Sequence, residues 1–350
     1  MSKRIVFCAD GTWDAPGSAT NVFKIFHALL TNAEQVPYYD DGVGSDGTPL
    51  QKLAGGALGA GLFQKIKDGY SKIAQAYEAG DQIFIFGFSR GAYTARSLAG
   101  MIAICGLPTE NFTDDDVNTA FNAYRNKDQR QRLLDQLNQS CDMFDAKLAM
   151  VGVWDTVGSL GIPAIFGGVD PILYGFLDTG LHPDVLNAYQ ALAIDEKRAE
   201  FPPTLWTLPQ PPNPNQTIEQ VWFVGVHCDV GGSYPPDSNG SALSDLTLAW
   251  MMSKAAPLGV AFDPAVLTTY ALPMDPKFAL DTKHESWNVL WLIPKPRTIA
   301  ANSTLSDSVL FRCQNDSSYH PGNLTFTDGQ LSSGYGVERV INQVMKAPTS

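Results

Sequence analysis

Gln82-Ile83-Phe84-Ile85-Phe86-Gly87-Phe88-Ser89-Arg90-Gly91-Ala92 is the stretch whose reading decides the fold. Residues 83–86 are continuously apolar, β-branched or aromatic, as in a strand covered on both faces. Residues 90–104 are rich in alanine and leucine and read as a helix. Between them, Gly87-Phe88-Ser89-Arg90-Gly91 fits G-x-S-x-G in the setting that pattern requires, a strand before it and a helix after it. The spacing has a local cause. A serine at so sharp a strand-to-helix turn carries a strained backbone, and glycines two residues to either side leave room for the strand and helix to pass. The turn lifts the hydroxyl above the sheet edge. It also aims the Arg90 N–H, at the helix start, toward the place where an oxyanion would form.

Working outward, residues 5–9 form a short β-branched and aromatic run that stops at Asp10-Gly11-Thr12. Thr20-Asn21 caps a helix to about residue 30, and 36–39 is a short strand. Helical periodicity follows at 62–79 and in the charged segment 114–137, and a buried strand at 148–154. Residues 185–197 read as helical or mixed, 221–226 as a strand and 243–253 as a helix. The tail beyond 256 reads as irregular. Strands alternating with helices imply α/β architecture: a mainly parallel central sheet with helices on both faces. The 350 residues are expected to form a single domain, with 159–181 and 257–296 as cap or lid segments. The glycine-rich run 55–61 lacks the lysine and hydroxyl of a phosphate loop and reads as a flexible helix entry.

Composition narrows the function classes. Apolar residues make up 44% and charged residues 17%, a normal balance for a chain with a sizeable core. The net charge of −12 repels phosphate backbones, so nucleic acid is not an expected partner. It also argues against long-range attraction to anionic membranes. A lipid substrate would then be met by an apolar patch, and membrane-surface contact is expected only through a segment such as 162–177. Ordinary core packing under a cap is the competing role for that segment. The five cysteines match no zinc spacing, their odd number argues against a disulfide framework, and a reducing compartment is the simple reading. Residues 5–9 are too short for a signal peptide, and no stretch is apolar enough to span a bilayer. A cytoplasmic origin is expected, with export, if any, by a route that needs no cleaved signal.

A serine hydroxyl is a weak nucleophile and needs a base, usually histidine oriented by a carboxylate. With an elbow of this kind the chain order is serine, acid, histidine. His227 follows the strand at 221–226 and precedes Cys228-Asp229-Val230-Gly231-Gly232, on a loop at the end of a late strand. Its competing role is a structural histidine under the sheet edge. His320, in Tyr319-His320-Pro321, is the reserve base; His182 and His284 are less well placed, and His27 precedes the nucleophile. Asp155, after the strand ending at Trp154, is the leading acid; Asp195 and Asp229 compete. Gly11 and Thr12 fit the second oxyanion donor, with Asp10 bracing the loop or the elbow. Asp10-Gly11-Thr12 after a strand also suggests a haloacid-dehalogenase-type phosphatase. That chemistry needs an aspartate where Cys8 stands. A non-catalytic binding protein on the same fold is the other rival. No metal or cofactor is expected: Asp10, Asp40 and Asp41 lack ligand spacing.

The chain resembles an α/β-hydrolase family of bacteria and fungi, long labelled a domain of unknown function, to which some type VI secretion phospholipase effectors belong. The resemblance is carried by Phe7-Cys8-Ala9-Asp10-Gly11-Thr12-Trp13, Tyr39-Asp40-Asp41-Gly42-Val43-Gly44, Phe86-Gly87-Phe88-Ser89-Arg90-Gly91-Ala92, Val153-Trp154-Asp155-Thr156-Val157-Gly158 and Gly225-Val226-His227-Cys228-Asp229-Val230-Gly231-Gly232. It implies the α/β-hydrolase fold, a Ser–Asp–His site and esterase or phospholipase A activity on an ester or phospholipid substrate. At this length the chain is expected to be without the large membrane-docking extension of the characterised effectors, which leaves a soluble ester as an alternative substrate.

Overall fold

The computed structural model describes residues 2–11, 19–41, 56–109, 111–157, 179–288, 291 and 293–342. Eight strands form its central sheet: β1 (Arg4–Ala9), β2 (Gln35–Asp40), β3 (Gln82–Phe88), β4 (Leu148–Trp154), β5 (Asn187–Ala193), β6 (Thr217–Phe223), β7 (Thr304–Ser306) and β8 (Gly336–Glu338). Their order is β2-β1-β3-β4-β5-β6-β7-β8, and every ladder between neighbours is parallel. The α/β-hydrolase class expected from the sequence is the class observed.

Alternation along the strands sorts side chains into two layers. Ile5, Phe7 and Ala9 of β1 join Ile83 and Ile85 of β3 on one face. There they pack under α2 (Gly56–Ala76), α3 (Ser89–Cys105), α4 (Asp114–Arg125) and α5 (Arg130–Ser140). Val6 and Cys8 join Phe84 and Phe86 on the other face, under α1 (Asn21–Ala28) and α7 (Leu243–Ala255). A strand covered on both sides has no polar face, which is why 83–86 is unbroken apolar sequence. Helix starts are capped from the sequence. Thr20 Oγ1 accepts from Phe23 N–H, and Thr113 forms a reciprocal capping box with Asp116.

Two expectations need correction. Residues 185–197, read as helical or mixed, contain strand β5. Ala188, Ala191 and Ala193 suggested a helix, but the strand lies buried between β4 and β6, and tertiary packing overrides the propensity. The tail beyond 256, read as irregular, supplies β7, β8, helix α8 (Pro264–Thr269) and helix α9 (Asp307–Asn315). The strands of the tail are only three residues long, too short for a periodic signal. Of the two expected cap segments, 159–181 lies almost wholly outside the described residues. The first part of 257–296 packs into the core instead: Phe262 is buried near Leu29, and Met274 pairs with Ile341. Among the described residues, no helix is long and apolar enough to cross a membrane.

The strand order places the site. The chain steps from β1 outward to β2, returns to β3 on the other side of β1, and then proceeds one way to β8. Connections therefore diverge beyond the carboxyl ends of β1 and β3, the edge at which open parallel sheets generally take their ligands. Ser89 stands directly after β3 with φ 57°, a left-handed conformation. Gly91 crosses the end of β1 so closely that a Cβ on it would lie 2.2 Å from the Ala9 carbonyl oxygen. Gly91→Ala is expected to destabilise the fold by about 1–3 kcal/mol through this backbone clash. Gly80→Ala, at φ 95° with open space around it, is expected to cost only about 1 kcal/mol. Denaturant titration of the two variants checks the order, and equal losses would contradict it.

Candidate active site

Three side chains meet beyond the carboxyl ends of the strands. Ser89 follows β3, Asp155 follows β4, and His227 opens the short helix α6 (His227–Gly231) beyond β6. Ser89 Oγ lies 2.8 Å from His227 Nε2, and His227 Nδ1 lies 2.5 Å from Asp155 Oδ2. The three side chains come from positions 138 and 72 residues apart along the chain. Only the parallel sheet, which brings all its carboxyl ends to one edge, unites them.

The position of the imidazole is set by packing. Phe88, the residue before Ser89, lies against the His227 ring with centroids 4.6 Å apart. Gly231, one turn along α6, rests on the same phenylalanine, where an added Cβ would fall 1.9 Å from the ring. Phe201 meets the imidazole edge-on at 5.1 Å. At the far end of α6, Asn21 Nδ2 donates to the Val230 carbonyl at 3.1 Å. The close approach of Gly232 to the Asn21 backbone admits no side chain. The strand-to-helix turn at Ser89 and the helix that opens with His227 are thus packed directly onto each other.

Asp155 is fully buried and has φ 40°. Such a charge is tolerated only with strong partners. Arg297, itself 5% exposed, donates from Nη1 to Oδ1 at 2.5 Å and from Nη2 to Oδ2 at 2.9 Å. The Ala193 N–H adds a bond to Oδ1 at 3.0 Å. Burial alone would push this carboxyl up. Arg297 and His227 more than reverse that and hold it well below the usual carboxylate range. Burial draws the His227 imidazole below its ordinary value. The bond and charge of Asp155 work the other way, and the nearby Arg198 cation adds to the lowering. The result is an ionised acid beside a neutral imidazole, the protonation states a general base requires.

The other expected residues fall into distinct roles. Asp229 caps α6 by accepting from Val226 N–H at 3.0 Å, and it pairs with His284 Nδ1 at 2.6 Å. Burial, its largest influence, leaves its carboxyl raised. Asp195 accepts from Gly225 N–H at 2.7 Å and from the Tyr319 hydroxyl at 3.0 Å, so it ties the β5 and β6 loops to the C-terminal region. His320 is exposed and stacks on Phe326 at 3.7 Å. Asp10 braces the loop after β1: it accepts from Thr20 and Tyr39 hydroxyls, both at 2.6 Å. It also accepts from the Gly11 N–H at 2.7 Å. Gly11 can serve an oxyanion only by exchanging that bond, and Thr12 lies outside the described residues. Arg90 is the second residue of α3, where helix amides point out of the helix end. Cys8, in the place a phosphatase nucleophile would take, is fully buried, and burial raises its thiol. Among the described residues, no group of three or more His, Cys, Asp or Glu side chains is arranged to hold a metal.

Sequence reasoning missed Arg297, Glu196 and Arg198. Glu196 is 1% exposed and accepts from Arg198 Nε at 3.0 Å and Nη2 at 2.8 Å. It also accepts from the His227 N–H at 3.3 Å. Burial opposes its ionisation, but Arg198 prevails and draws the carboxyl to about 2. The position of Glu196 two residues before an arginine was the available signal. Arg297 lies in a polar, proline-bearing segment with no local signal at all.

An uncharacterized protein of Saccharomyces cerevisiae is 31% identical over an alignment of 187 residues, covering 46% of this chain and 27% of the relative. A solved structure of an uncharacterized protein from Pseudomonas aeruginosa is 17% identical with a TM-score of 0.46, covering 77% of this chain and 49% of that one. The structure of a Tle1 effector bound to the VgrG spike of the type 6 secretion system is 17% identical with a TM-score of 0.39, covering 69% of this chain and 52% of that one. The chain thus spans about half the length of each solved relative and about a quarter of the yeast protein. The family model described as the catalytic domain of Tle1-like type VI secretion phospholipase effectors matches residues 3–254, and the chain belongs to that family.

Proposed function

We propose that the protein is a serine hydrolase that cleaves carboxylic esters of phospholipids by a two-step acyl transfer. The single observation that carries the reading is the buried Ser89–His227–Asp155 chain of contacts at 2.8 and 2.5 Å. Family membership supports a phospholipid as the ester.

In the first step the Ser89 oxygen attacks the ester carbonyl carbon and passes its proton to His227 Nε2. The carbonyl oxygen becomes an oxyanion, faced by the Arg90 N–H at the start of α3. Asp155 accepts from His227 Nδ1, fixes the tautomer and stabilises the imidazolium. Collapse of the tetrahedral intermediate breaks the ester C–O bond, and His227 returns the proton to the departing alcohol oxygen. Water then repeats the sequence on the acyl-enzyme and releases a fatty acid. Removing a donor to the oxyanion costs about 3–4 kcal/mol of barrier in comparable systems.

Ser89→Ala is expected to lower kcat about a millionfold while the fold stays intact. Titration of fatty acid released from phosphatidylcholine or phosphatidylethanolamine vesicles, alongside a series of soluble esters, checks it. Unchanged turnover in this variant rules out the scheme, and turnover of soluble esters alone rules out the phospholipid. His227→Ala is expected to abolish both hydrolysis and labelling by a fluorophosphonate. His320→Ala, at an exposed ring stacked on Phe326, is expected to leave both intact. The reverse pattern would transfer the base to His320.

The pH profile follows from the site. The base works as neutral imidazole, so the rate rises with pH through its titration. Burial sets that titration below the ordinary histidine value. The acid limb of kcat/KM is therefore expected to reach half-maximum below about pH 6.5. A half-maximum above that value would contradict the desolvated imidazole.

A further inference from the structure

The span matched to the family ends at residue 254, yet the segment 284–297 reaches the site at four points. His284 Nδ1 pairs with Asp229 at 2.6 Å. The Ser286 hydroxyl donates to Glu196 at 3.0 Å. The Trp291 ring meets the edge of Phe201 at 5.5 Å, and Phe201 in turn meets His227. Arg297 grips Asp155 through both carboxylate oxygens.

We infer that Arg297 is a positioning residue for the acyl transfer, acting through Asp155, and that the segment 284–297 completes the acid–base pair from outside the family-matched span. This inference rests on reading Ser89, His227 and Asp155 as the reacting triad.

The argument is geometric. Arg297 does not depend on Asp155 for its own position. Nη1 also donates to the Ala193 carbonyl at 2.9 Å, and Nη2 to the Phe201 carbonyl at 2.9 Å. Two backbone oxygens therefore fix the plane of the guanidinium, and the fixed fork sets the plane of the carboxylate. Oδ1 is held by Nη1 and by the Ala193 N–H. Rotation of the carboxylate about its bond to Cβ would break both of those bonds. Oδ2 is left facing His227 Nδ1 at 2.5 Å. A passive counter-ion would need only a positive charge. A fork held by two carbonyls supplies direction as well, which a lysine cannot match. Other charged groups around the pair are Arg198 and Glu196, which bond to each other. They remain in place when Arg297 is changed.

The test compares Arg297→Lys and Arg297→Met with the native chain on a soluble ester, with Ser89→Ala as the reference. Arg297→Lys keeps the buried charge and removes the fork. It is expected to fold, to lose about tenfold to a hundredfold in kcat, and to keep KM within about twofold. Arg297→Met removes the charge as well. The Asp155–His227 pair then binds its first proton more tightly, whichever atom carries it, so the acid limb of kcat/KM is expected to move up by about one pH unit. In an Asp155→Asn background, Arg297→Lys is expected to add little further loss, because the group it acts through is gone.

Several results overturn the inference. Native kcat in both variants does so, as does an undiminished Arg297→Lys loss in the Asp155→Asn background. An Arg297→Lys chain that fails to fold also overturns it, since the arginine would then support the fold and not the reacting pair. Should Arg297→Met alone fail to fold, Arg297→Lys and its cycle with Asp155→Asn decide the matter. Active Ser89→Ala would defeat the triad reading itself. Inactive Ser89→Ala with a fully active Arg297→Lys would defeat this inference alone.

Discussion

A carboxylate with no exposed surface, at the end of a strand in the middle of the sheet, is the constraint around which the site is built. Asp155 could not remain ionised there by itself, since desolvation of a lone carboxylate favours its neutral form. Arg297, the Ala193 N–H and the His227 imidazole supply the missing solvation. Each of these partners belongs to a different part of the chain, so the charge can exist only when the sheet, the β5 loop, α6 and the C-terminal segment have all assembled. The left-handed backbone at Asp155 has the same meaning. It is held by surroundings that over-determine it.

The elbow obeys a similar logic with steric terms in place of electrostatic ones. Gly87 and Gly91 allow α3 to start within one residue of β3 and to pass the end of β1 at contact distance. Gly231 lets α6 lie on Phe88, the residue before Ser89. Bulk at any of the three would separate hydroxyl from imidazole, although none of them takes part in proton transfer. Ser89 and His227 stand at helix starts and Asp155 directly follows a strand, so regular elements set the positions of the three side chains.

Outside the core of the site a second polar layer joins it to the C-terminal third of the chain. Glu196 with Arg198, Asp229 with His284, and Asp195 with Tyr319 are all buried or half-buried pairs. The pairs Asp229–His284 and Asp195–Tyr319 each tie a loop at the sheet edge to a distant segment, while Glu196 and Arg198 are local to one loop and reach the distant segment through the Ser286 hydroxyl. Removing one member of such a pair deprives a buried carboxylate of part of its hydrogen bonding, which costs more than the pair contributes net. Asp195 and Asp229 therefore hold the loops around Ser89, His227 and Asp155, and their hydrogen bonds go to Gly225, Tyr319, Val226 and His284.

The sequence by itself determined the nucleophile elbow, because strand, glycine spacing and helix are local and leave a contiguous pattern between residues 82 and 104. It determined the alternation of strands and helices, and with it the parallel sheet, because a strand covered on both faces must be apolar throughout. It also narrowed base and acid to a few residues after strand ends, His227 and Asp155 among them. Only the tertiary structure decided which of these meet. A hydrogen bond across 138 residues has no local signature, since its partners are selected by strand order and by packing on Phe88. Strand β5 was hidden by its alanines, whose helical preference is weaker than burial between two strands. Arg297 was hidden more completely. Nothing near it in the chain needs an arginine; the need arises from a buried charge 142 residues away, and a requirement of that kind exists only after the chain has folded.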